Sequence, residues 1–481
     1  MPAIVIALII LESLLLFISA LVRIPECTSV VVGGLLVLAV VFLWRSRAKV
    51  PVKKSLTVLS LFAVCWSLYS AYALPYWDSI TYLDVLGIEY PESKGLDEVL
   101  SPEEAEQDYI FARKQLGKVH PAFLKEAALY PEPLTEWADS ISVCRLYQLL
   151  QTEVSSLRDA HTKVFPVLRE PRRVDFSAFG SIVSINDIPR EAFVDSLGRY
   201  ISSETAKWTE YRILSGLNNI DHLKLYGLFD GDSVSVVFNS PGGGQVGRTF
   251  YEKDFRPVGR TSSYSLSADS MGGYGFNDTL SCGYLRLDNM YYYTSTARKK
   301  FREGMEALFT QLSQNSYKRL VIDLRGCPGG NADLAHELFR YLPVDEYSMG
   351  ARYHRRGPVT VGGPIVRKNR NRSDLCFEGD VYVLTSVSTF SGAMHLADYL
   401  QGNGVARIVG ESPGNTPTCY TNIAHYVLPN SRLSLDVSTG EFVRVDETRE
   451  ENIVKPDMPC GAGSAYSTLK EILLGEGRGG L

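Results

Sequence analysis

The sequence lacks the signals that mark several common classes of protein. It has no excess of basic residues, because 49 Lys and Arg side chains stand against 54 Asp and Glu side chains, so no nucleic-acid partner is predicted. Its eight cysteines form no CxxC pair, which argues against a zinc site or a small disulfide scaffold. Neither GK[ST] nor GxGxxG occurs at a glycine-rich turn, so a phosphate-binding loop is not favoured. The sequence predicts no metal and no cofactor.

Long apolar runs are confined to the N-terminus. Three runs, 2–22, 28–44 and 55–74, each approach the ~20 residues that cross a bilayer as a helix. A cleaved signal peptide is the alternative for the first run, but no basic residue precedes that run and two further runs come after it. We therefore predict three transmembrane helices, so that the membrane is one partner of the chain.

The charges of the short loops predict the orientation. The loop 45–54 carries five basic residues, whereas the segment 75–92 contains no Lys or Arg. Loops rich in Lys and Arg stay in the cytoplasm, so the N-terminus should lie inside and the long C-terminal part outside. The predicted location is the cytoplasmic (inner) membrane, as a multi-pass protein with an extracytoplasmic domain. The oligomeric state is not predicted.

The rest of the 481-residue chain has room for more than one domain, and its pattern changes along its length. Residues 102–119 and 134–157 show the apolar period of amphipathic helices. The stretch 174–240 mixes strand-like and helix-like segments and ends in the loop "SPGGGQ". From residue 282 onward, strand-like runs alternate with helices, which predicts a layered α/β core with parallel strand pairing.

One candidate nucleophile lies in the stretch "VYVLTSVSTFSGAMHLADYL", where an apolar strand gives way to a helix at Ser391. α/β enzymes often place a nucleophile at such a junction, because the first amides of the helix are unpaired and can receive an oxyanion. The simpler alternative is that Ser391 only caps the helix, and the junction alone favours that alternative.

Activation of a serine needs a base and preorganised donors for the oxyanion. The turn "DLRGCPGG" has glycines whose bare backbone can approach a substrate, although a tight strand-to-helix connection explains it equally well. Two histidines are candidates for the base. His161 comes after a predicted helix, and His395 shares a helix face with Ser391. Spacing alone does not choose between them.

Several segments, in order along the chain, resemble the C-terminal processing peptidase family, the serine peptidases that include tail-specific and tricorn proteases. The similar segments are "KVHPAFLKE", "LRDAHTKV", "LVIDLRGCPGG", "VYVLTSVSTFSGAMHLADYL" with the subsequent "ARIVGES", and the late "NIVKPDMP". Together they extend over most of residues 100–470. The order makes the resemblance far more specific than any one motif.

The resemblance implies a role for each matched position. Ser391 takes the place of the nucleophile, His161 that of the base in the tricorn-like branch, and Gly329 and Gly392 those of the oxyanion donors. Tail-specific members use a lysine base after the Gly-Glu element, but "GESPGNTP" has Thr416 at that position, so a Ser-Lys dyad is not predicted.

The group that orients the base is left open. A tricorn-like site uses a glutamate just before the Pro-Asp element, which fits Glu450 in "TREENIVKPD", with Glu451 one register away. Asp159 is a rival for the same role. A solvated charge in an acidic run is an equally good interpretation of Glu450.

The resemblance also implies the architecture: a crotonase/ClpP-like α/β peptidase core with a helical N-terminal subdomain, preceded by three transmembrane helices. We divide the chain into a membrane anchor (1–76), a helical subdomain (77–172), an α+β insert where many members carry a PDZ domain (173–262), and the peptidase core (263–481). The insert shows no clear carboxylate-binding loop of the Gly-Leu-Gly-Phe kind.

The implied function is a membrane-anchored serine endopeptidase that cleaves extracytoplasmic proteins or peptides by Ser-His acyl-enzyme chemistry. Four residues depart from the family pattern near the site, namely Ala160, Cys327, Gly392 and Met394. Met394 and Cys327 motivate an alternative, in which the fold is kept as a catalytically impaired peptide-binding or sensor module. A non-proteolytic acyl hydrolase is a second alternative.

Overall fold

The computed structural model describes most of the chain. The described residues are 2–19, 26–46, 48–73, 91–125, 134, 137–168, 170–229, 231–257, 271–370 and 374–476. The predicted domain boundaries at 76/77 and 262/263, and Arg47 in the basic loop, lie outside these residues.

Three apolar helices form the N-terminal part: α1 (Pro2–Ser19), α2 (Glu26–Arg45) and α3 (Val50–Ala73). Among the described residues, one stretch, Val50–Tyr69, is long and apolar enough to cross a membrane. The apolar parts of the other two, Ala3–Leu16 and Val32–Arg45, are shorter than the ~20 residues a span needs. The prediction of three transmembrane helices is therefore not supported, and one candidate span remains.

The helical subdomain contains β1 (Val99–Leu100), α4 (Pro102–Val119), α5 (Ala122–Lys125), β2 (Ile141–Ser142), α6 (Val143–Ser155), β3 (Lys163–Phe165) and β4 (Arg172–Arg173). The helix α4 has the predicted bounds and begins with a capping box between Ser101 and Glu104. The second helix was predicted from residue 134 but begins at Val143. Ser142 caps it by accepting a hydrogen bond from the Arg145 amide at 3.2 Å, so the helix cannot extend backwards.

The insert forms a four-stranded antiparallel sheet with helices. Its elements are β5 (Ser181–Ile185), β6 (Ile188–Pro189), α7 (Arg190–Leu197), α8 (Ala206–Gly216), α9 (Ile220–Leu225), β7 (Ser233–Asn239), β8 (Gln245–Tyr251) and β9 (Arg256–Pro257). The strand order is β6-β5-β7-β8. The insert has an apolar core of its own, which includes Phe193, Ile213 and Phe238.

The C-terminal half confirms the predicted β-α alternation. Its elements are β10 (Gly272–Asn277), β11 (Cys282–Leu287), α10 (Ser295–Gln314), β12 (Arg319–Asp323), α11 (Ala335–Phe339), β13 (Glu346–Arg356), β14 (Val359–Lys368), β15 (Asp380–Thr385), α12 (Gly392–Gly402), β16 (Arg407–Gly410), β17 (Cys419–Val427), β18 (Ser434–Val443), β19 (Met458–Pro459) and α13 (Ala465–Glu476). A six-stranded sheet runs in the order β10-β11-β12-β15-β16-β19. All its neighbouring pairs are parallel except β10 with β11.

Both faces of this sheet are buried, which explains the continuous apolar strands in the sequence. Leu320, Ile322 and Val383 point into the larger apolar core. Val321 and Leu384 alternate with them and point into a smaller core closed by α13. Side chains of successive strand residues face opposite sides, so each central strand must be apolar throughout.

A second sheet connects the helical subdomain to the core. Its order is β14-β13-β18-β17, and the short strand β3 pairs with β18. The pairing joins Lys163–Phe165 to the start of β18. Because β3 begins two residues after His161, this pairing fixes the position of that histidine relative to the core.

Candidate active site

Ser391 occupies a strained turn between β15 and α12. Its backbone has φ 52° and ψ −122°, a conformation that L-residues rarely adopt and that costs of the order of 1–3 kcal/mol. Its side chain makes no capping hydrogen bond to the helix, so the interpretation of Ser391 as an ordinary N-cap is wrong. The Ser391 amide instead donates to Asn415 Oδ1 at 2.8 Å. The turn therefore points the hydroxyl away from its own helix.

The hydroxyl residues before Ser391 tie its turn to the glycine-rich loop. Thr389 Oγ1 donates to the Leu324 carbonyl at 2.7 Å, and Ser388 Oγ donates to the Arg325 carbonyl at 2.7 Å. The Phe390 amide donates to the Cys327 carbonyl at 3.1 Å. These bonds explain the run "STFS", since each residue before the nucleophile holds the two loops together.

The glycine-rich loop touches the turn so closely that side chains are excluded. A Cβ on Gly329, whose φ is 92°, would lie 2.5 Å from the Gly392 nitrogen, and a Cβ on Gly392 would lie 2.4 Å from the Gly330 carbonyl oxygen. The second contact explains why glycine stands at 392. Within the described chain the Gly392 amide makes no hydrogen bond, so it is available to an oxyanion.

Cys327 packs beneath this loop. Burial raises the pKa of its thiol to about 12, and a hydrogen bond from the Gly329 amide opposes that rise. The Gly329 amide therefore faces the sulfur in this structure, while the Gly392 amide is unengaged. A thiol is a weak acceptor, so a substrate oxyanion would compete with it readily.

His161 lies against Ser391, the candidate nucleophile, although 230 residues separate them in sequence. Its Nε2 is 2.9 Å from Ser391 Oγ, which is hydrogen-bond distance. The ring packs on Phe390 with 4.9 Å between ring centroids. The imidazole is 4% exposed. The structure thus brings together Ser391, His161, Gly329 and Gly392.

Asp159 is a fully buried carboxylate that holds the backbone around His161. Its Oδ1 accepts the His161 amide at 2.9 Å, and its Oδ2 accepts Thr162 Oγ1 at 2.5 Å and His120 Nε2 at 3.1 Å. Burial by itself would raise the pKa of Asp159, but the hydrogen bond from His120 and the proximity of His161 outweigh it and hold that pKa well below its usual range.

His120, in the early His-Pro element, is a neutral donor in this network. The Ala122 amide donates to its Nδ1 at 3.2 Å, so the ring proton must lie on Nε2 and point at Asp159. Sequence reasoning found His120 only as part of a motif and gave it no role. Its partner 39 residues away could not be read from spacing.

The orienting group is not where the resemblance placed it. Glu450 is exposed and makes no hydrogen bond or ion pair with His161 in the described chain, and Glu451 pairs with Lys455 at 3.4 Å. Asp159 Oδ1 is 3.8 Å from His161 Nδ1, beyond hydrogen-bond range. Within the described residues, the His161 Nδ1 is buried without a hydrogen-bond partner.

Glu204, in the insert just before α8, is the carboxylate that the sequence did not reveal. Its Oε1 accepts the Ala160 amide at 3.1 Å, and its Oε2 is buried with no partner. One polar atom each of Asp159, His161 and Glu204 lies within 4.8 Å of the others. Burial first, and then the Asp159 charge, raise the pKa of Glu204 to about 7. The spacing would suit a metal ion, but we assign none, because both Asp159 oxygens already accept hydrogen bonds.

The other candidates for the base are turned away from the serine hydroxyl. His395 Nε2 faces the Cys419 thiol at 3.8 Å, and burial lowers the pKa of His395 to about 3. Thr416 is buried and donates to the Thr418 carbonyl at 2.9 Å. His395 therefore stays neutral, and Thr416 offers no base.

A cleft of about 370 Å³ opens beside Ser391 and Gly392. Polar and aromatic side chains line it, and Arg352 is paired with Asp333 at 2.6 Å and lies over the Phe442 ring at 4.7 Å. A cleft of this size holds a few side chains of an extended peptide.

Residues 281–460 match the family model described as Peptidase family S41. The similarity to this family therefore rests on the C-terminal half of the chain. The matched range contains Ser391, Gly329, Gly392 and Glu450, whereas His161 and Glu204 precede it. The recognition of the C-terminal processing peptidases from sequence is thereby confirmed, and the S41 member is a serine peptidase, hence a hydrolase.

Two solved structures, both of CPAF, share the fold, and a third is reported as a weaker similarity. Mature CPAF in complex with lactacystin is 14% identical, with a TM-score of 0.55 over 77% of this chain and 97% of that one. Mature CPAF alone is 13% identical, with a TM-score of 0.53 over 77% and 95%. The photosystem II D1 C-terminal processing protease is 14% identical, with a TM-score of 0.40 over 77% and 96%. Among curated proteins, none matches the sequence significantly.

Proposed function

We propose that this S41 peptidase is a membrane-anchored serine endopeptidase that cleaves extracytoplasmic proteins or peptides, with Ser391 as nucleophile and His161 as base. The observation that carries the proposal is the 2.9 Å separation of His161 Nε2 and Ser391 Oγ. The pairing of β3 with β18 helps to bring these two distant residues to this distance. The crotonase/ClpP-like type of core that the resemblance implies is part of the same proposal.

The chemistry is acyl transfer through a covalent intermediate. Ser391 Oγ attacks the peptide carbonyl while His161 Nε2 takes its proton and passes it to the leaving amine, and water then hydrolyses the ester by the reverse proton path. The amides of Gly392 and Gly329 stabilise the oxyanion, and the Gly329 amide leaves the Cys327 thiol to do so. Loss of one such donor costs about 10²–10³ in rate.

The residues that depart from the family pattern are compatible with catalysis and do not favour the catalytically impaired module. Met394 and Cys327 are both fully buried in the larger apolar core and do not line the cleft. Gly392 is required by the close approach of Gly330. None of the three removes a polar group from the Ser391–His161 pair, so the impaired-module alternative loses its basis.

The proposed membrane anchor is α3. Val50–Tyr69 is one candidate span, and the basic residues 45–54 lie at its N-terminal end. Positive charge on that side places the chain beyond α3, with its peptidase core, outside the cytoplasm. The three-span topology is therefore reduced to at least one span with the same orientation of the peptidase.

Labelling with a fluorophosphonate probe tests the catalytic proposal. The full-length protein in detergent should be labelled on Ser391, and it should cleave a peptide substrate at a rate that Ser391→Ala abolishes. A panel of peptides and simple esters separates a peptidase from an acyl hydrolase that acts on esters alone. An intact, well-folded wild type that takes no label would refute the proposal.

A further inference from the structure

The insert does more than occupy the position of a PDZ domain, because its segment 204–208 reaches the active site. Thr205 Oγ1 donates to the Gly414 carbonyl at 2.7 Å. Trp208 stacks on Phe390, the residue before the nucleophile, with ring centroids 4.4 Å apart and planes 13° apart. Glu204 reaches the turn that carries His161. The segment thus touches both the nucleophile turn and the base turn.

The tautomer that His161 needs in order to act as a base leaves its Nδ1 proton without a hydrogen-bond acceptor in the described core. For Nε2 to accept the Ser391 proton, the ring proton must lie on Nδ1. That Nδ1 is buried without an acceptor, and a buried donor left unpaired costs about 1–3 kcal/mol. When Nε2 takes the proton, the ring becomes a cation whose charge also needs a counter-charge.

Glu204 lies where it can supply the missing acceptor and the counter-charge for His161. Its Oε2 is the other buried, unpartnered polar atom at the same spot, and its Oε1 is anchored on the Ala160 amide beside His161. Ligand atoms of Glu204, Asp159 and His161 lie within 4.8 Å of one another. Rotation of the Glu204 carboxylate about its side chain is the movement that would bring Oε2 toward the ring.

The alternative carboxylate, Asp159, already accepts hydrogen bonds on both of its oxygens. Asp159 uses Oδ1 for the His161 amide and Oδ2 for His120 and Thr162. Turning Asp159 toward Nδ1 would break bonds that shape the turn, whereas Glu204 Oε2 has none to lose. Glu450, the residue of the family pattern, is exposed.

We propose that Glu204, supplied by the insert, is the positioning residue that orients His161 and stabilises its protonated form. The inference rests on the proposed Ser391–His161 function and names the third member of that site. It also assigns the insert a part in catalysis, since the segment at the start of α8 carries the acid and stacks Trp208 on the nucleophile turn.

The test compares Glu204→Gln with the wild type in the full-length protein. Gln keeps an oxygen for the Ala160 amide and removes only the charge, so the turn should remain folded. Glu210→Gln, on helix α8 and paired with Arg190 at 2.7 Å, is the matched control. Fluorophosphonate labelling rate, kcat, KM and melting temperature are measured for each protein, between pH 5.5 and 9.

We expect Glu204→Gln to lower the labelling rate and kcat by about 100-fold, the scale of one acid–base contribution, with KM nearly unchanged and cooperative melting retained. The loss should be greatest above pH 7, where the carboxyl is ionised. The titratable groups facing it are Asp159, His161 and Cys419, and none of these is changed. Glu204→Asp should recover part of kcat, and Glu210→Gln should behave as wild type.

The outcomes separate the two proposals. If the wild type is not labelled, the proposed function fails. If the wild type is labelled and Glu204→Gln matches it in labelling rate, kcat and pH profile, only the role of Glu204 is overturned. A fall in kcat that accompanies loss of the cooperative melt, with no recovery in Glu204→Asp, would also overturn it, because the residue would then be merely structural.

Discussion

At the scale of single residues, the sequence picked out the members of the candidate site that lie in a motif and missed those that only the fold brings there. Ser391, Gly329 and Gly392 stand in short segments whose order matches a family, and the structure brings them together with His161. Glu204 has no motif, lies in the insert, and approaches His161 only through the tertiary fold. Asn415, whose side-chain oxygen accepts the Ser391 amide, lies in the quoted segment "GESPGNTP", but its contact with Ser391 forms only in the fold and so was missed.

The close contact at Gly392 predicts that a side chain at this position lowers activity by a steric clash. Gly392→Ala places a methyl group 2.4 Å from the Gly330 carbonyl oxygen, so the loop must move away and carry the oxyanion donors with it. We expect a loss of kcat of about 10²-fold or more. Gly326→Ala is the control, since a Cβ there meets nothing within 4 Å. Equal activity of the two variants would contradict this explanation of position 392.

Glu204 also gives a prediction about stability. Its pKa lies near 7 in the folded protein, above the ordinary value of 4.5, so the folded state holds the proton more tightly than the unfolded state. Its contribution is therefore fully present below about pH 4.5 and is lost as the pH rises through 7, with a slope of at most about 1.4 kcal/mol per pH unit. Glu204→Gln should show a flatter decline of unfolding free energy between pH 5 and 8 in urea titrations. An identical slope would argue against a buried Glu204 carboxylate.

At the scale of elements, the strands of the core were predicted well because both faces of the parallel sheet are buried and each strand is apolar throughout. Helix ends were predicted less well. The run 134–157 has a helical period, yet the helix starts at Val143, because Ser142 supplies a cap and residues 141–142 pair with β1. Local capping and strand pairing overrode the apolar period.

The docking of α8 on the nucleophile turn is testable at this scale. Trp208→Ala removes the ring that stacks on Phe390. Phe390 precedes Ser391 in the turn, and its ring packs against His161. We therefore expect kcat to fall by about tenfold or more, because both groups would lose their exact position. Trp137→Ala is the control, since Trp137 packs on Tyr109 in the helical subdomain. It should lower the melting temperature while leaving kcat per folded molecule unchanged. A wild-type kcat in Trp208→Ala would show that the insert only rests against the site.

At the scale of the whole molecule, the sequence predicted the mixed α/β peptidase but predicted more membrane spans than the structure supports. Apolar composition suggested three spans, whereas only Val50–Tyr69 among the described residues has the necessary length. The apolar stretches of α1 and α2 pack with α3 around Leu16, Leu36 and Leu56. Composition alone does not distinguish such a small bundle from three separate spans.

The orientation can be measured on the whole chain. A reporter fused after residue 481 should be active only outside the cytoplasm, because the basic loop 45–54 is retained inside. The protein should also stay in the membrane fraction after alkaline carbonate washing, as one span predicts. Reporter activity confined to the cytoplasm would reverse the orientation.

The proposed mechanism depends on the pairing of Ser391 with His161, and the rate of fluorophosphonate labelling at Ser391 measures that pairing. His161→Ala should slow labelling by at least about 10²-fold, the scale of a lost general base, and Ser391→Ala should abolish it. The double variant should cleave peptide no more slowly than either single variant, because residues that act as one unit are not additive. His395→Ala should label at a rate near that of the wild type, since its imidazole faces Cys419. If His161→Ala labels normally while His395→Ala does not, the base has been misassigned and the mechanism is wrong.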